Sequence, residues 1–218
     1  MLEDAVKGML SDHEARVLGS LMEKQMTTPD YYPLTLKALT AACNQKSSRV
    51  PVMDLSTSEI GGVVNSLRSE GLVTARMDGR ADRFEQHLSR KLSISSKERA
   101  VLCVLMLRSS LTLNEIRINT GRMVSFDSSE ELQVLLDQLM QRDEVLIVRI
   151  PRAAGQREDR YAHLLCGEPD VEIPAKAHAV ASVAGNVDSD RITQLEKEVA
   201  DLKEELKLLW ELSGLDKE

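Results

Sequence analysis

Two stretches of this chain, about 75 residues apart, follow one pattern, and this internal repeat constrains the fold more than any other feature. Three short segments of the first stretch return in the second: Glu14–Leu18 as Glu98–Leu102, Leu34–Leu36 as Leu111–Leu113, and Asp82–Phe84 as Asp159–Tyr161. Each stretch also carries four apolar residues at the spacing i, i+3, i+4, i+7, which places them on one helix face. They are Ile60, Val63, Val64 and Leu67 in the first stretch, and Leu132, Leu135, Leu136 and Leu139 in the second. A period this long predicts a duplicated small domain, not a solenoid.

The first repeat has the pattern of three helices followed by a β-hairpin. Ser11 with Glu14 and Ser56 with Glu59 have the spacing of capping boxes, which mark helix starts. Between those two helices a third is expected, and strands are expected on both sides of a turn around Gly79. The predicted elements are helices from about Ser11 to Gln25, Thr35 to Cys43 and Ser56 to Gly71, then strands over 72–76 and 83–88. This order predicts a winged helix-turn-helix.

The second repeat is predicted to copy that arrangement. Helix starts are expected at Ser95 or Ser96, at Thr112 and at Ser128 or Ser129, and the turn of the hairpin at Gly155. Residues 100–107 are apolar without interruption, which predicts a helix buried on all sides and packed against both repeats. The predicted fold class is mainly α with small β-hairpins (α+β). It comprises a first winged-helix domain over 10–92 and a second over 93–167.

The C-terminal part of the chain follows a different pattern. Residues 168–190 contain prolines, alanines and acids without periodicity, which is typical of a flexible linker. Residues 191–213 contain three heptads, which predict a coiled-coil helix and a homodimer. The candidate dimerisation residues are Ile192, Leu195, Val199, Leu202, Leu206 and Leu209. The alternative is an amphipathic helix that folds back onto its own domains.

The net charge of −7 is concentrated in this C-terminal part. Residues 10–92 contain 11 Lys and Arg against 10 Asp and Glu, and residues 93–167 contain 10 against 10. Residues 168–218 contain 6 against 13. The two repeats are therefore nearly neutral, which neither requires nor excludes a nucleic-acid partner.

The sequence lacks motifs for catalysis, for cofactors and for metals. It has no glycine-rich phosphate loop, no nucleophile elbow and no pair of histidines at metal-binding spacing. The three cysteines are far apart, so a disulfide scaffold is not expected, and no apolar run is long enough to span a membrane. The first residues carry acids and no apolar signal region. We therefore expect a cytoplasmic protein that is not an enzyme, with no cofactor, metal or small-molecule ligand.

The candidate functional surface is the outward face of the third helix in the first repeat. With Ile60 facing inward, helical geometry turns Ser58, Gly62, Asn65 and Ser69 outward. This small, polar face suits a DNA major groove, with basic residues nearby for the phosphates. The candidate DNA-binding residues are Lys46, Ser47, Arg49, Ser58, Gly62, Asn65, Arg68, Arg80 and Arg83.

Two functions are compatible with these observations. The first is a transcriptional regulator whose first repeat binds double-stranded DNA. The alternative is a structural or protein-interaction module that uses winged helices as a scaffold without DNA. In the second repeat the corresponding outward face carries Glu130 and Asp137, which would repel phosphates, so we do not expect that repeat to read a groove.

Several segments resemble the YceH-like family of uncharacterised bacterial proteins. The resemblance rests on Glu14–Val17, Leu21–Gln25, Thr28-Pro29, Tyr32–Leu34 and Ala42–Lys46, together with Asp159–Tyr161, His163-Leu164 and the heptads of the C-terminal part. It implies a cytoplasmic bacterial protein with two winged helices. It implies no activity and no catalytic residue.

Overall fold

The computed structural model describes residues 9–78, 81–152 and 156–169. This part of the chain is a mixed α/β structure with seven α-helices and two three-stranded antiparallel sheets. The predicted linker over 168–190 lies almost wholly outside these residues. The predicted coiled-coil helix over 191–213, with its candidate dimerisation residues, lies outside them, as do Arg80 and Gly155.

The first repeat contains three longer helices and one small sheet. Its elements in chain order are α1 (Asp12–Thr27), β1 (Leu34–Thr35), α2 (Leu36–Cys43), α3 (Thr57–Ser69), β2 (Val73–Asp78), β3 (Ala81–Gln86) and the short α4 (Leu88–Lys91). The strand order is β1-β3-β2, with Leu34 opposite Phe84 and Val73 opposite Gln86. The hairpin therefore joins a strand that precedes α2.

The second repeat has the same order of elements. It consists of α5 (Ser96–Arg108), β4 (Leu111–Thr112), α6 (Leu113–Thr120), α7 (Ser129–Met140), β5 (Ile147–Ile150) and β6 (Arg160–His163). The strand order is β4-β6-β5, and Leu111 lies opposite Tyr161. The duplication inferred from the sequence thus corresponds to two sheets with the same connectivity.

Capping residues fix where the helices begin, as predicted. Complete capping boxes join Ser11 to Glu14 and Ser56 to Glu59, and Ser95 to Glu98 starts α5 in the same way. The ends were predicted less well. Helix α3 ends at Ser69, ahead of Gly71 with its φ of 69°, and the two-residue strands β1 and β4 were not predicted as strands.

The two repeats share one hydrophobic core. All eight residues from Ala100 to Leu107 on α5 are buried, as predicted, and α1 packs along this helix. The contact is close because Gly19 has no side chain: a Cβ there would lie 3.0 Å from Cγ and Cδ2 of Leu107. The Cys103 thiol also donates to the Gly19 carbonyl oxygen, at 3.3 Å. The described residues therefore form one compact unit with one core, and the division between 92 and 93 stays a prediction from the sequence repeat.

Gly19→Leu should destabilise the protein by about 1–3 kcal/mol, because extra atoms must push α1 away from Leu107 on α5. Urea-induced unfolding followed by circular dichroism measures the change. Gly62→Ala is the control, since a Cβ at Gly62 meets no atom within 4 Å among the described residues. The substitution also replaces glycine, a poor helix former, with alanine. That variant should gain up to about 1 kcal/mol. Equal stability of Gly19→Leu and wild type would contradict the close packing.

Candidate functional site

The outward face of α3 is exposed, as its spacing predicts. Ile60, Val64 and Leu67 are buried in the core, and Val63 is half-buried against it. On the opposite side the exposed residues are Ser58, Gly62, Asn65, Arg68 and Ser69. This face has small side chains, one amide and one guanidinium, so it offers hydrogen bonds with little steric bulk.

The two adjacent glycines of α3 have different surroundings. A Cβ at Gly61 would lie 3.8 Å from Leu36 of α2, an ordinary contact. A Cβ at Gly62 would meet no atom within 4 Å in the described part of the chain. Glycine in a helix interior costs about 1 kcal/mol relative to alanine. The packing of the described residues does not require glycine at position 62, because a larger side chain would fit there. Without a side chain, Gly62 leaves a shallow, open place on the surface of α3.

Polar contacts at the edges of this face join side chains of α3 to one another, to its N-cap residue and to α1. The Arg68 guanidinium donates to the Asn65 amide oxygen at 3.4 Å, and the Ser66 hydroxyl donates to Glu14 at 2.9 Å. Glu59 accepts from the backbone and hydroxyl of Ser56, and these hydrogen bonds lower the pKa of its carboxyl. Glu59 is therefore a negative charge at the start of α3, where the helix dipole favours one.

The assignment of Arg49 to the candidate DNA-binding residues is wrong, because this residue is 2% exposed. Its guanidinium donates to both carboxylate oxygens of Glu23 on α1, at 3.2 and 2.6 Å, and to the Ala42 carbonyl oxygen at 3.1 Å. Burial raises the pKa of Glu23, but the hydrogen bonds and charge of Arg49 outweigh this, and the net change is downward. Arg49 thus anchors the α2–α3 connection to α1.

Two further side chains hold the same connection, and the sequence analysis did not identify either. Arg16 on α1 is buried, and it donates to the carbonyl oxygens of Cys43 at 3.1 Å and Pro51 at 2.6 Å. Asn44 donates to the Leu55 carbonyl at 2.7 Å and accepts from the Leu55 amide at 2.9 Å. The sequence shows Arg16 only as one polar residue of an amphipathic helix. The apolar periodicity of that helix does not distinguish a buried guanidinium from an exposed one.

The basic residues of the β2–β3 hairpin are already engaged within the described structure. Arg76 forms an ion pair with Glu85 at 2.9 Å. Arg83 is half-buried and donates to the Pro33 carbonyl oxygen at 3.1 Å. The ion pair of Arg76 reduces the positive charge that the hairpin presents beside α3, whereas Arg83 keeps its charge and is only partly exposed.

Lys46 and Ser47 are exposed, as predicted, but they lie in a cleft formed by both repeats. We call it the seam cleft. It has a volume of about 520 Å³ and is lined by the last turn of α1, residues 45–48, the end of α5 at Arg108, and the end of α6 with Arg122. The sequence does not indicate this neighbourhood, because the connection and α6 are distant along the chain.

A larger cleft, of about 900 Å³, lies in the second repeat between the starts of α6 and α7 and the β5–β6 hairpin. One ion pair lies in its lining. Arg149 donates to Asp159 at 2.7 Å, and the second oxygen of that carboxylate accepts from the Arg152 amide at 2.9 Å. The outward face of α7 beside it carries the exposed residues Glu130 and Val134.

Burial or hydrogen bonding accounts for the described thiols and for two of the described imidazoles. Cys43 and Cys103 are buried, and burial raises the pKa of both thiols; it raises the pKa of Cys166 to about 12. Burial also lowers the pKa of His163 to about 4, so this imidazole is neutral at pH 7. His87 lies 2.8 Å from the Thr74 hydroxyl. Within the described ranges, no cluster of His, Cys, Asp and Glu suits a metal ion, and no helix is long and apolar enough to cross a bilayer.

Comparison with known proteins identifies the family. The model described as "Protein of unknown function, DUF480" matches residues 10–156, which include both repeats. The chain belongs to the DUF480 family. It is similar to the UPF0502 protein of Cellvibrio japonicus (strain Ueda107), at 42% identity over 98% of this chain and all of the relative. The UPF0502 protein of Vibrio atlanticus (strain LGP32) is 41% identical over 91% of this chain and 94% of the relative. These matches confirm the family resemblance inferred from the sequence.

Arg49→Ala should destabilise the protein by about 3 kcal/mol or more, because it leaves the Glu23 carboxylate half-buried without its main partner. Thermal unfolding of the full chain measures the loss. Lys46→Ala is the matched control in the same connection; its side chain is exposed and should change stability by less than about 0.5 kcal/mol. If Arg49→Ala were as stable as Lys46→Ala, the structural role of Arg49 would be refuted.

Proposed function

We propose that each repeat of this DUF480 protein is a winged helix-turn-helix and that the first repeat binds double-stranded DNA. The shared order of three helices and a hairpin, with a strand before the second helix that pairs with the hairpin, supports this fold. The protein would act as a non-enzymatic regulator in the bacterial cytoplasm, the setting that the family resemblance implied.

The observation that carries the proposal is the exposed face of α3. A helix that enters a major groove needs short polar side chains, so that its backbone comes close to the base edges. Gly62 and Ser58 provide the low surface, and Asn65 provides an amide that can form two hydrogen bonds with adenine. The open space over Gly62 leaves room for a base edge to approach the helix backbone.

The electrostatics support modest affinity. Arg68 lies on the flank of the face and is exposed, whereas Arg49 is buried and Arg76 is paired with Glu85. Few phosphate contacts imply a shallow dependence of affinity on salt. A regulator of this kind gains affinity when two copies bind adjacent half-sites, because dimerisation doubles the contacts.

We also propose self-association through the helix predicted over 191–213. Light scattering of the full chain and of a shortened chain ending at Gly167 tests this. We expect a dimer from the full chain and a monomer from the shortened one, because the candidate dimerisation residues are Ile192, Leu195 and their heptad partners. Monomer mass for the full chain, or a dimer that survives shortening, would contradict the proposal.

The alternative, a protein-interaction module without DNA, is favoured by apolar residues on the surface of the second repeat. Ile118 on α6 is 65% exposed and Val134 on α7 is 55% exposed. Large exposed apolar side chains are more typical of protein-binding surfaces than of groove-reading helices. In that case α3 would be an exposed face of the scaffold.

Gly62→Glu should weaken DNA binding by at least about tenfold, because a carboxylate on the α3 face repels phosphates and holds the helix away from the bases. Fluorescence anisotropy with mixed genomic duplexes at roughly 50 mM salt measures affinity. The matched control is Val134→Glu, the corresponding position of the second repeat, which should leave affinity nearly unchanged. Asn65→Ala should retain non-specific affinity and reduce preference for a selected site.

Two outcomes would contradict DNA binding by α3. One is no binding by wild type at micromolar protein under these low-salt conditions. The other is equal loss in Gly62→Glu and Val134→Glu. Unfolding does not account for a loss in Gly62→Glu, since replacing glycine in a helix interior favours the helix.

A further inference from the structure

The seam cleft has an excess of positive charge that the described structure does not neutralise. Four cationic residues line it, namely Lys24, Lys46, Arg108 and Arg122, against the single carboxylate of Glu23. That carboxylate already accepts two hydrogen bonds from Arg49 and lies 3.6 Å from Lys24. This one negative charge faces four positive ones, so the lining of the cleft keeps a net positive charge.

Three of these cations have no hydrogen bond or ion pair from their side chains within the described ranges. They come from three different elements: Lys46 from the α2–α3 connection, Arg108 from the end of α5, and Arg122 from the segment after α6. Arg108 is half-buried, and burial lowers its pKa, an effect that Glu23 partly offsets. A bound anion would accept hydrogen bonds from this guanidinium, which donates none to the described residues, and would add to the favourable effect of Glu23.

Helix dipoles account for only part of this charge. Helices α1, α5 and α6 all end at the cleft, and a helix C-terminus favours a cation because it carries roughly half a negative charge. Part of this demand is met already, since the hydroxyls of Thr27, Thr28 and Thr120 donate to carbonyl oxygens in the last turns of α1 and α6. The four full positive charges of the cleft therefore exceed the partial, solvent-screened negative charges at the three helix ends.

The shape and the neutral groups suit a small polar ligand. A volume of about 520 Å³ lies in the range of small-molecule sites. The side chains of Ser47, Ser48 and Asn119 line the cleft and form no hydrogen bond with other described residues. Hydroxyl and amide donors among arginines are what phosphate oxygens bind.

We propose that the seam cleft binds a small anion carrying one or more phosphate groups, with Lys46, Arg108 and Arg122 as its cationic contacts. The ligand would bridge the two repeats, because Lys46 belongs to the first and both arginines to the second. This site is separate from the α3 face, so the inference does not depend on DNA binding.

Calorimetric titration of the full chain with inorganic pyrophosphate, at an ionic strength held constant with sodium chloride, tests the proposal. We expect saturable binding of one anion per chain with a Kd below roughly 1 mM. Arg122→Gln and Lys46→Gln should each raise Kd by about tenfold. Both residues are exposed, so these variants should fold as wild type does. The matched control is Arg117→Gln, an exposed arginine of α6 that does not line the cleft and should keep wild-type affinity.

Parallel titrations with a nucleoside triphosphate and with a DNA duplex distinguish the sources of phosphate. Retention of pyrophosphate binding in Gly62→Glu would support a site independent of DNA. No saturable binding at millimolar pyrophosphate, or equal losses in Arg117→Gln and Arg122→Gln, would overturn the proposal. Binding of the duplex alone, weakened by Arg122→Gln, would also overturn it and would place the cleft in the DNA interface.

Discussion

The structure depends on the burial of α5 against α1. Helix α5 is apolar around its whole circumference from Ala100 to Leu107, so it must be covered on every side, and its own repeat covers only part of it. Helix α1 covers the rest, and Gly19 allows the two helices to approach closely. Separating the repeats would expose the apolar side chains of α5 to water, which costs about 25 cal/mol of free energy per Å² of apolar surface. The duplicated units are therefore one folded body.

This central packing places the α2–α3 connection, which has no regular structure of its own. Arg16 and Arg49 hold it from inside the molecule: their guanidinium groups donate to carbonyl oxygens at the end of α2 and to those of Pro51 and Ser48 in the connection. A buried charge is tolerated when it is paired and hydrogen-bonded, as Arg49 is with Glu23. Helix α3 begins directly after this connection. Because Arg16 and Glu23 of α1 hold the connection in place, they also help to position α3 and its exposed face.

The two surfaces that we interpret functionally differ in their chemistry. The α3 face is uncharged except at its flank, and its small side chains favour a close approach by a flat, polar surface. The seam cleft is concave and cationic, and it exists only because the two repeats pack together. A ligand there would bind residues of both repeats and would therefore stabilise the folded unit by mass action.

The sequence alone determined the duplication, the helix starts and the inward and outward faces of α3. These features are local: a capping box needs only Ser56 and Glu59, and the burial of Ile60, Val64 and Leu67 follows from helical geometry. It also identified the family. Tertiary structure decided which basic side chains are buried. Lys46 and Arg49 are three residues apart in an irregular segment without periodicity, so the pattern does not distinguish them. Arg49 is buried because it pairs with Glu23 on α1, whereas Lys46 stays exposed. The seam cleft was likewise beyond prediction, because Arg122 meets residues that lie about 75 positions earlier in the chain only after the repeats have packed.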